Sequence, residues 1–456
     1  MKLMASEVAT VTDGRLAGPD VALTGVSIDS RTIAAGEMFV ALMAERNGNV
    51  FIPDALRAGA VAYMTAQPNL DAALTTVTLS DAAPTDAVLP VRSTAIIVAD
   101  TAAALAKLGS HARSRFLGPV VGITGSVGKT SVKDMAAAVI GTQRPTHASL
   151  RSFNNELGVP LTLINTPDTA EVVVVEMGAR GKGHIAELCS QARPTVGVVT
   201  AVGAAHIELF GSIKAVAEAK GEMVECLSED GVAVLNADQP LVAAMAARTS
   251  AQVLTFGGTA GDVRASGVRL DEALRPSFLL ETPSGRAEVR LLACGEHMVQ
   301  NALAAAAIGL AVGVDIQAIA FGLAQAQLSP WRMEVAELSS GALLINDAYN
   351  ANPLSMEAAL RALGHLQRGR KVAVLGLMAE LGERSVSDHA AIAALARELH
   401  IEVIAVGTSH YGIAPVSDPE AAVAAVGDLD SNTAVLVKGS RAVGLEQVAS
   451  GLDGLS

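Results

Sequence analysis

The sequence is short of the groups that announce a metal cluster, a membrane anchor or a nucleic-acid partner. Its three cysteines, Cys189, Cys226 and Cys294, lie far apart without metal-ligand spacing. They read as free, mostly buried thiols, which excludes a disulfide scaffold and a zinc site. Half the residues are hydrophobic, yet no uninterrupted apolar run approaches the roughly 20 residues that cross a bilayer. The N-terminus carries no secretory apolar segment, so a cytoplasmic protein is expected. Only 17% of residues are charged and the net charge is −13, which argues against nucleic acid or an anionic membrane surface as partner. Any anionic substrate must therefore meet positive charge placed locally. Internal repeats and low-complexity tracts are absent.

What the chain does have is length and one informative loop. Its 456 residues suffice for about three domains, each with its own core. Gly122-Ile-Thr-Gly-Ser-Val-Gly-Lys-Thr-Ser131 follows an apolar run, Pro119–Ile123, and precedes an Ala/Met/Val-rich stretch of helical character. Strand, glycine loop, Lys-Thr and helix is a layout that cradles nucleotide phosphates. Backbone N–H groups and the helix N-terminus face the anion, the Lys reaches the terminal phosphates, and the Thr hydroxyl can hold Mg²⁺. The strict pattern wants a Gly five residues before Gly128, where Ile123 stands instead; Gly122 and Gly125 are the nearby glycines. A Gly-rich turn with a solvated Lys is the alternative reading.

The chain divides around this loop. Residues 1–113 show short alternating runs, Gly25–Arg31 and Gly36–Leu42, then a helical Ala/Leu stretch near Thr101–His111, and read as a small α/β unit. In residues 114–328, apolar strands (Val172–Val175, Val196–Thr200, Gly231–Leu235) alternate with Ala-rich helical segments, which predicts a mostly parallel sheet covered on both faces. Residues 329–456 repeat the alternation with Leu343–Ile345, Lys371–Leu375, Glu402–Val406 and Thr433–Val437, as in a Rossmann-like domain.

Chemistry in such folds gathers where parallel strands end. Glu176 directly follows Val172–Val175; it suits Mg²⁺ opposite Thr130, or else satisfies orphan N–H groups at a helix start. His206 exits the next strand, as a metal or phosphate group or a packed histidine. Lys220, taken singly, reads as a solvated helix residue. Asn301, opening an Ala-rich helix, either reads an adenine edge or merely sits in a first turn. Arg332, in Pro330-Trp-Arg-Met-Glu334 at the second boundary, either reaches a γ-phosphate on closure or forms an interdomain salt bridge. The segment Asn346-Asp-Ala-Tyr-Asn-Ala-Asn-Pro353 looks like a binding loop, more than turn chemistry requires. Lys438-Gly-Ser-Arg441 offers groups for a substrate carboxylate or phosphate, or forms a solvated loop.

Together these segments resemble the Mur ligase family, in the branch that extends a UDP-linked muramoyl tripeptide. The resemblance is carried by Thr124–Thr130, Ser152-Phe-Asn-Asn-Glu-Leu-Gly-Val-Pro160, Glu176-Met-Gly178, Ala205–Ser212, Ala219-Lys-Gly-Glu222, Asp347–Pro353 and Lys438–Arg441, in family order across nearly the whole chain. It implies an α/β protein of three domains: a UDP-substrate-binding N-terminal domain, a central P-loop ATPase domain and a Rossmann-like C-terminal ligase domain. It implies ATP and two Mg²⁺ ions as cofactors, and UDP-N-acetylmuramoyl-tripeptide and D-Ala-D-Ala as substrates, with a monomer expected. The carboxylate is activated as an acyl phosphate and then attacked by the amine.

Carried over by position, Gly125, Ser126, Val127, Gly128, Lys129, Thr130 and Ser131 would cradle ATP, with Asn301 at adenine, Arg332 at the phosphates and Asp347 at the ribose. Thr130, Glu176, His206 and Lys220 would serve the metal ions, Lys220 as a carbamate, with Lys129, His206 and Lys220 the catalytic set. Ser30 and Arg31 would meet the UDP-sugar end, Asn154 and Asn155 the muramoyl peptide, and Asn350 and Asn352 the junction of tripeptide and dipeptide.

Three departures stand out: Arg46–Val50 replaces the usual N-terminal uridine segment, Met298 a second Asn, and Gly376-Leu377-Met378 the commoner Gly-Asp-Met. Two relatives and one bland reading compete. Single-amino-acid sibling ligases usually carry Asp-Asn-Pro-Arg, which this chain lacks; folylpolyglutamate synthetase lacks a comparable N-terminal domain; a silent nucleotide-binding scaffold is the third.

Overall fold

Apolar β-branched runs set the frame. The computed structural model describes residues 2–43, 46–67, 93–150, 152–204 and 207–454. At its centre a six-stranded sheet, wholly parallel, runs in the order Gln252–Phe256, Val232–Asn236, Val196–Val199, Val120–Thr124, Val172–Glu176, Thr146–Ala148. The strands Val120–Thr124 and Val172–Glu176 are buried throughout, as strands covered on both faces by helices must be. Val120–Thr124 lies between Val196–Val199 and Val172–Glu176. The three chain segments leaving these strands therefore emerge side by side at one edge of the sheet.

Helix Lys129–Gly141 packs on this sheet beside Met298–Ala311, and Ile316–Gln325 packs against both helices. Close approach is possible because the contact residues are small. Ala302 and Ala304–Ala307 are fully buried, and a Cβ on Gly322 would stand 2.6 Å from Val139 Cα. The helix–strand alternation did not anticipate the three-stranded antiparallel sheet Arg264–Leu270, Pro276–Thr282, Gly285–Arg290. Its middle strand buries Pro276, Phe278 and Leu280 on one face only, so polar residues interrupt its apolar run.

The N-terminal region forms a five-stranded sheet ordered Arg15–Ala17, Thr94–Ile97, Ala62–Thr65, Met38–Val40, Val26–Ser27, parallel except at the Arg15–Ala17 edge. The C-terminal region forms another, Glu334–Glu337, Leu343–Asn346, Thr433–Lys438, Arg370–Leu375, Glu402–Ala405, parallel except at its Glu334–Glu337 edge. One apolar core runs from central-sheet residues such as Ile123 to C-terminal ones such as Leu436. A second joins Met38 and Ile96 to Val173 and Leu188. Among the described residues, no helix is long and apolar enough to cross a membrane. The cysteines are free, with Cys189 and Cys294 buried and Cys226 exposed.

Candidate active site

The glycine loop can turn where it does only because two residues lack a side chain. Gly125 has φ +154° and a Cβ there would stand 1.9 Å from Thr200 Oγ1; Gly128 has φ +84° and its Cβ would stand 2.5 Å from Asn301 Oδ1. Such backbone conformations favour glycine. The next strand exit then holds the loop: the Thr200 hydroxyl donates to Val127 O at 2.6 Å, and the Gly203 backbone pairs with the loop's Ser126 Oγ, which donates (3.1 Å) and accepts (2.9 Å). Helix Lys129–Gly141 begins immediately after Gly128, so its free N–H groups open onto the loop.

Lys129 folds back to donate to Gly125 O at 2.8 Å. Desolvation in the cleft is the main force pushing its pKa down, with Glu176 opposing and Arg332 assisting. Glu176, the last residue of its strand and 1% exposed, accepts from Thr130 Oγ1 (2.8 Å) and Asn154 Nδ2 (2.7 Å). Arg332 Nη2 donates to the same Thr130 oxygen at 2.9 Å, and the guanidinium lies 4.1 Å from the centre of the Tyr349 ring. Its neighbours Trp331 and Met333 both have positive φ, +62° and +50°. Arg332 Nε is buried and unpartnered, a donor still available to an anion.

Lys220, on helix Ile213–Glu225, is 3% exposed. Burial first, then the charge of Lys129, drives its pKa far below the usual lysine range, which favours a neutral amine. His297 is also kept neutral: desolvation pushes it down to about 4, against the pull of Asp347. Asp347 pairs with Lys438, which also donates to Asn350 O at 2.9 Å and is 2% exposed.

These groups line one cavity of about 850 Å³, walled by Ser126–Ser131, Asn154, Asn155, Glu176, Lys220, Asn301, Arg332, Asp347, Asn350 and Asn352. Ile28 from the N-terminal region completes it. The expected residues therefore converge, with four exceptions. Gly125, Ser30 and Arg31 are not part of the wall, Arg31 instead forming an exposed ion pair with Asp29 at 2.7 Å. His206 lies outside the described residues. Some of the converging amides have local work. Asn352 caps helix Pro353–His365 in a capping box with Ser355, and Asn155 Oδ1 accepts from Leu157 N and Gly158 N, at the start of helix Gly158–Ile164. Asn301 Nδ2 rests 3.3 Å from Met298 Sδ.

The donor set can be tested against a metal ion. Among the described residues no three His, Cys, Asp or Glu side chains converge. One buried carboxylate beside one hydroxyl fits Mg²⁺, which keeps several waters and shares phosphate oxygens, rather than a metal demanding a full protein cage.

Family models match along the chain in three consecutive blocks: "Mur ligase family, catalytic domain" over residues 22–113, "Mur ligase middle domain" over 123–309, and "Mur ligase, glutamate ligase domain" over 331–441. The chain belongs to the Mur ligase family. Within it, this Mur ligase is 37% identical to the UDP-N-acetylmuramoyl-tripeptide–D-alanyl-D-alanine ligase of Mycobacterium tuberculosis, over 99% of this chain and 98% of that one. Its structure is similar to the crystal structure of MurF from Acinetobacter baumannii (TM-score 0.84, 30% identity, 100% and 99% of the chains covered). It is also similar to the MurF ligase of Thermotoga maritima in complex with ADP (TM-score 0.78, 29% identity, 94% and 97% covered).

Sequence reasoning about this Mur ligase gave no role to Tyr349 or His297, and offered Lys438 to a substrate anion or a solvated loop, whereas it is buried against Asp347. Tyr349 and Lys438 sit inside quoted motifs and His297 lies four residues before Asn301, so the signal was their neighbourhood. Their roles as ring platform, neutral imidazole and buried counter-charge depend on segments that meet only in three dimensions.

Proposed function

We propose that this chain is the ATP-dependent ligase that joins D-alanyl-D-alanine to UDP-N-acetylmuramoyl-tripeptide, yielding ADP, phosphate and UDP-N-acetylmuramoyl-pentapeptide for peptidoglycan precursor synthesis. The observation that carries this reading is the convergence of Lys129, Thr130, Glu176, Lys220 and Arg332, from four distant segments, on one cavity.

The terminal tripeptide carboxylate is a poor acyl donor. It attacks the γ-phosphorus of ATP, ADP leaves, and an acyl phosphate forms. The free amine of D-Ala-D-Ala then adds to the acyl carbon, and the tetrahedral adduct collapses with loss of inorganic phosphate and a proton. Catalysis of such transfers is mainly positioning and charge stabilisation in a closed site. The loop N–H groups and Lys129 hold the transferring phosphoryl group, and the unpartnered Arg332 Nε adds a donor from the hinge. Asn301 lies at the adenine side and Asp347 at the ribose. Thr130 and Glu176 would hold Mg²⁺, which would supply charge neutralisation at the phosphates. His206 belongs to the second metal position, and the neutral Lys220 amine is suited to adding CO₂ as a carbamate. Asn154, Asn155, Asn350 and Asn352 line the peptide path, and Ser30 and Arg31 serve the UDP end. Domain limits at 1–113, 114–328 and 329–456, a monomer and a cytoplasmic location complete the proposal.

Phosphate release from ATP, measured with UDP-muramoyl-tripeptide in the presence and absence of D-Ala-D-Ala, tests it. Turnover that requires both and yields pentapeptide is expected. Equal turnover with single amino acids would sink the dipeptide assignment.

A further inference from the structure

The loop Gly376–Glu380 leaves the end of strand Arg370–Leu375 and reaches the cavity, which Ala379 and Glu380 help to wall. Its far end touches the central region, where Glu380 O accepts from Glu208 N at 3.3 Å. Glu380 holds φ +61°, a backbone state that a glutamate keeps only when its surroundings impose it. Three fixed contacts provide that constraint. Tyr411 OH donates to Gly376 O at 2.7 Å, and Ser440 accepts from Ala379 N at 2.9 Å and donates its own N–H to Leu377 O at 3.0 Å.

A further contact, at Met378, differs because it can titrate. His389, on helix Ser385–Glu398, is fully buried, with Nε2 2.9 Å from Met378 N and Nδ1 2.6 Å from Ser385 O. A backbone N–H only donates and a carbonyl only accepts. Nε2 must therefore be unprotonated, and the single imidazole proton must sit on Nδ1. A second proton, on Nε2, would set one N–H against another in the middle of the loop.

We propose that His389 is a positioning residue whose neutral imidazole holds the Gly376–Glu380 loop in the form that meets the central domain, and that protonation of His389 releases this loop. The consequence for turnover rests on the ligase reading above; the anchoring itself does not. The groups facing the ring are Asp388 on its own helix, paired with Arg384, and His410 and Tyr411 from the loop after strand Glu402–Ala405, with ring centres 5.3 and 4.8 Å away. Burial lowers the imidazole pKa most, His410 lowers it further, and the Ser385 carbonyl and Asp388 pull it up, for a net downward shift. Release therefore falls on the acid side of the ordinary imidazole range.

The test uses the full chain and two variants, His389→Gln, whose amide oxygen can accept from Met378 N–H without titrating, and His389→Leu, which offers no acceptor. Hydrogen exchange at the Met378 amide is followed from about pH 5 to pH 8, alongside ADP affinity and the kcat and KM for D-Ala-D-Ala. In the wild type, protection of this amide relative to its intrinsic exchange rate should fall as the pH falls. In His389→Leu protection should be low throughout, with KM for D-Ala-D-Ala raised about tenfold and ADP affinity unchanged. His389→Gln should restore protection and a low KM and remove the acid dependence. High protection in His389→Leu, or an acid response in His389→Gln equal to wild type, would overturn the proposal. Should His389→Leu fail to fold, the Gln variant decides alone. A wild type that exchanges as expected but ligates nothing refutes the ligase reading and leaves the anchoring intact.

Discussion

Thr130 Oγ1 donates to Glu176 Oε2 at 2.8 Å, joining the first turn of the phosphate-loop helix to the end of the neighbouring strand. The two residues are 46 positions apart in sequence. They meet because parallel neighbouring strands deliver their C-terminal ends to one edge of the sheet. Arg332 approaches the same hydroxyl from the hinge, so three segments already share one oxygen.

That arrangement makes the carboxylate charge testable. Glu176→Gln keeps the side-chain shape and removes the charge, and ligation should fall about 100-fold or more, with more Mg²⁺ needed for half-maximal rate. Lys129→Ala should lower kcat about 100- to 1000-fold with an unchanged melting temperature. An unaltered Mg²⁺ titration in Glu176→Gln would rule out the metal role.

Gly128→Ala should be costly for two separate reasons. A Cβ meets Asn301 Oδ1 at 2.5 Å, and φ is +84°. A stability loss of about 1–3 kcal/mol is expected from the backbone alone, with weakened ATP binding. Gly141→Ala is the control, since nothing lies within 4 Å of its Cβ position. Calorimetric unfolding and nucleotide titration of both variants decide the point, and equal effects would discount the loop geometry.

Lys220 predicts a pH effect with a definite sign. Its folded pKa lies well below the ordinary lysine value, so the folded chain gives up this proton at lower pH than the unfolded chain does. Stability from this group is complete above the unfolded pKa of about 10.4 and is lost as the pH falls toward the folded value. In CO₂-free buffer at neutral pH, Lys220→Met should therefore melt higher than wild type while ligating poorly. Bicarbonate should restore activity to CO₂-stripped wild type; a rate indifferent to bicarbonate would dismiss the carbamate.

Asp347 carries a structural duty besides any contact with ribose. Its partner Lys438 is 2% exposed, and Asp347→Ala would leave that ammonium buried without a counter-charge, at about 3–5 kcal/mol. Asp347→Leu combined with Lys438→Met should recover most of the loss. Urea unfolding of the single and double variants measures this, and additive losses would show that the pair is uncoupled.

Much of the architecture was legible in the chain. The runs Val172–Val175, Lys371–Leu375 and Thr433–Val437 became the strands Val172–Glu176, Arg370–Leu375 and Thr433–Lys438, because a parallel strand buried on both faces must be continuously apolar. The antiparallel sheet at Arg264–Arg290 was not legible, since a strand buried on one face mixes polar and apolar residues. For the site, residue types and order were readable from the motifs. Double duties were not: Asn352 as a helix cap and Asp347 as a buried counter-ion are defined by neighbours that the motif does not contain.

The sequence by itself determined the glycine loop with its Lys-Thr, the strand-end position of Glu176, and the alternation that builds three α/β units, because local periodicity and backbone sterics act within a few residues. Only the tertiary structure decided that Arg332 reaches Thr130, that Lys220 is buried beside Lys129 where its charged form is disfavoured, and that His389 must be neutral. Each of these depends on which groups surround a charge or a donor after the chain has folded, and desolvation and hydrogen-bond polarity are properties of that surrounding.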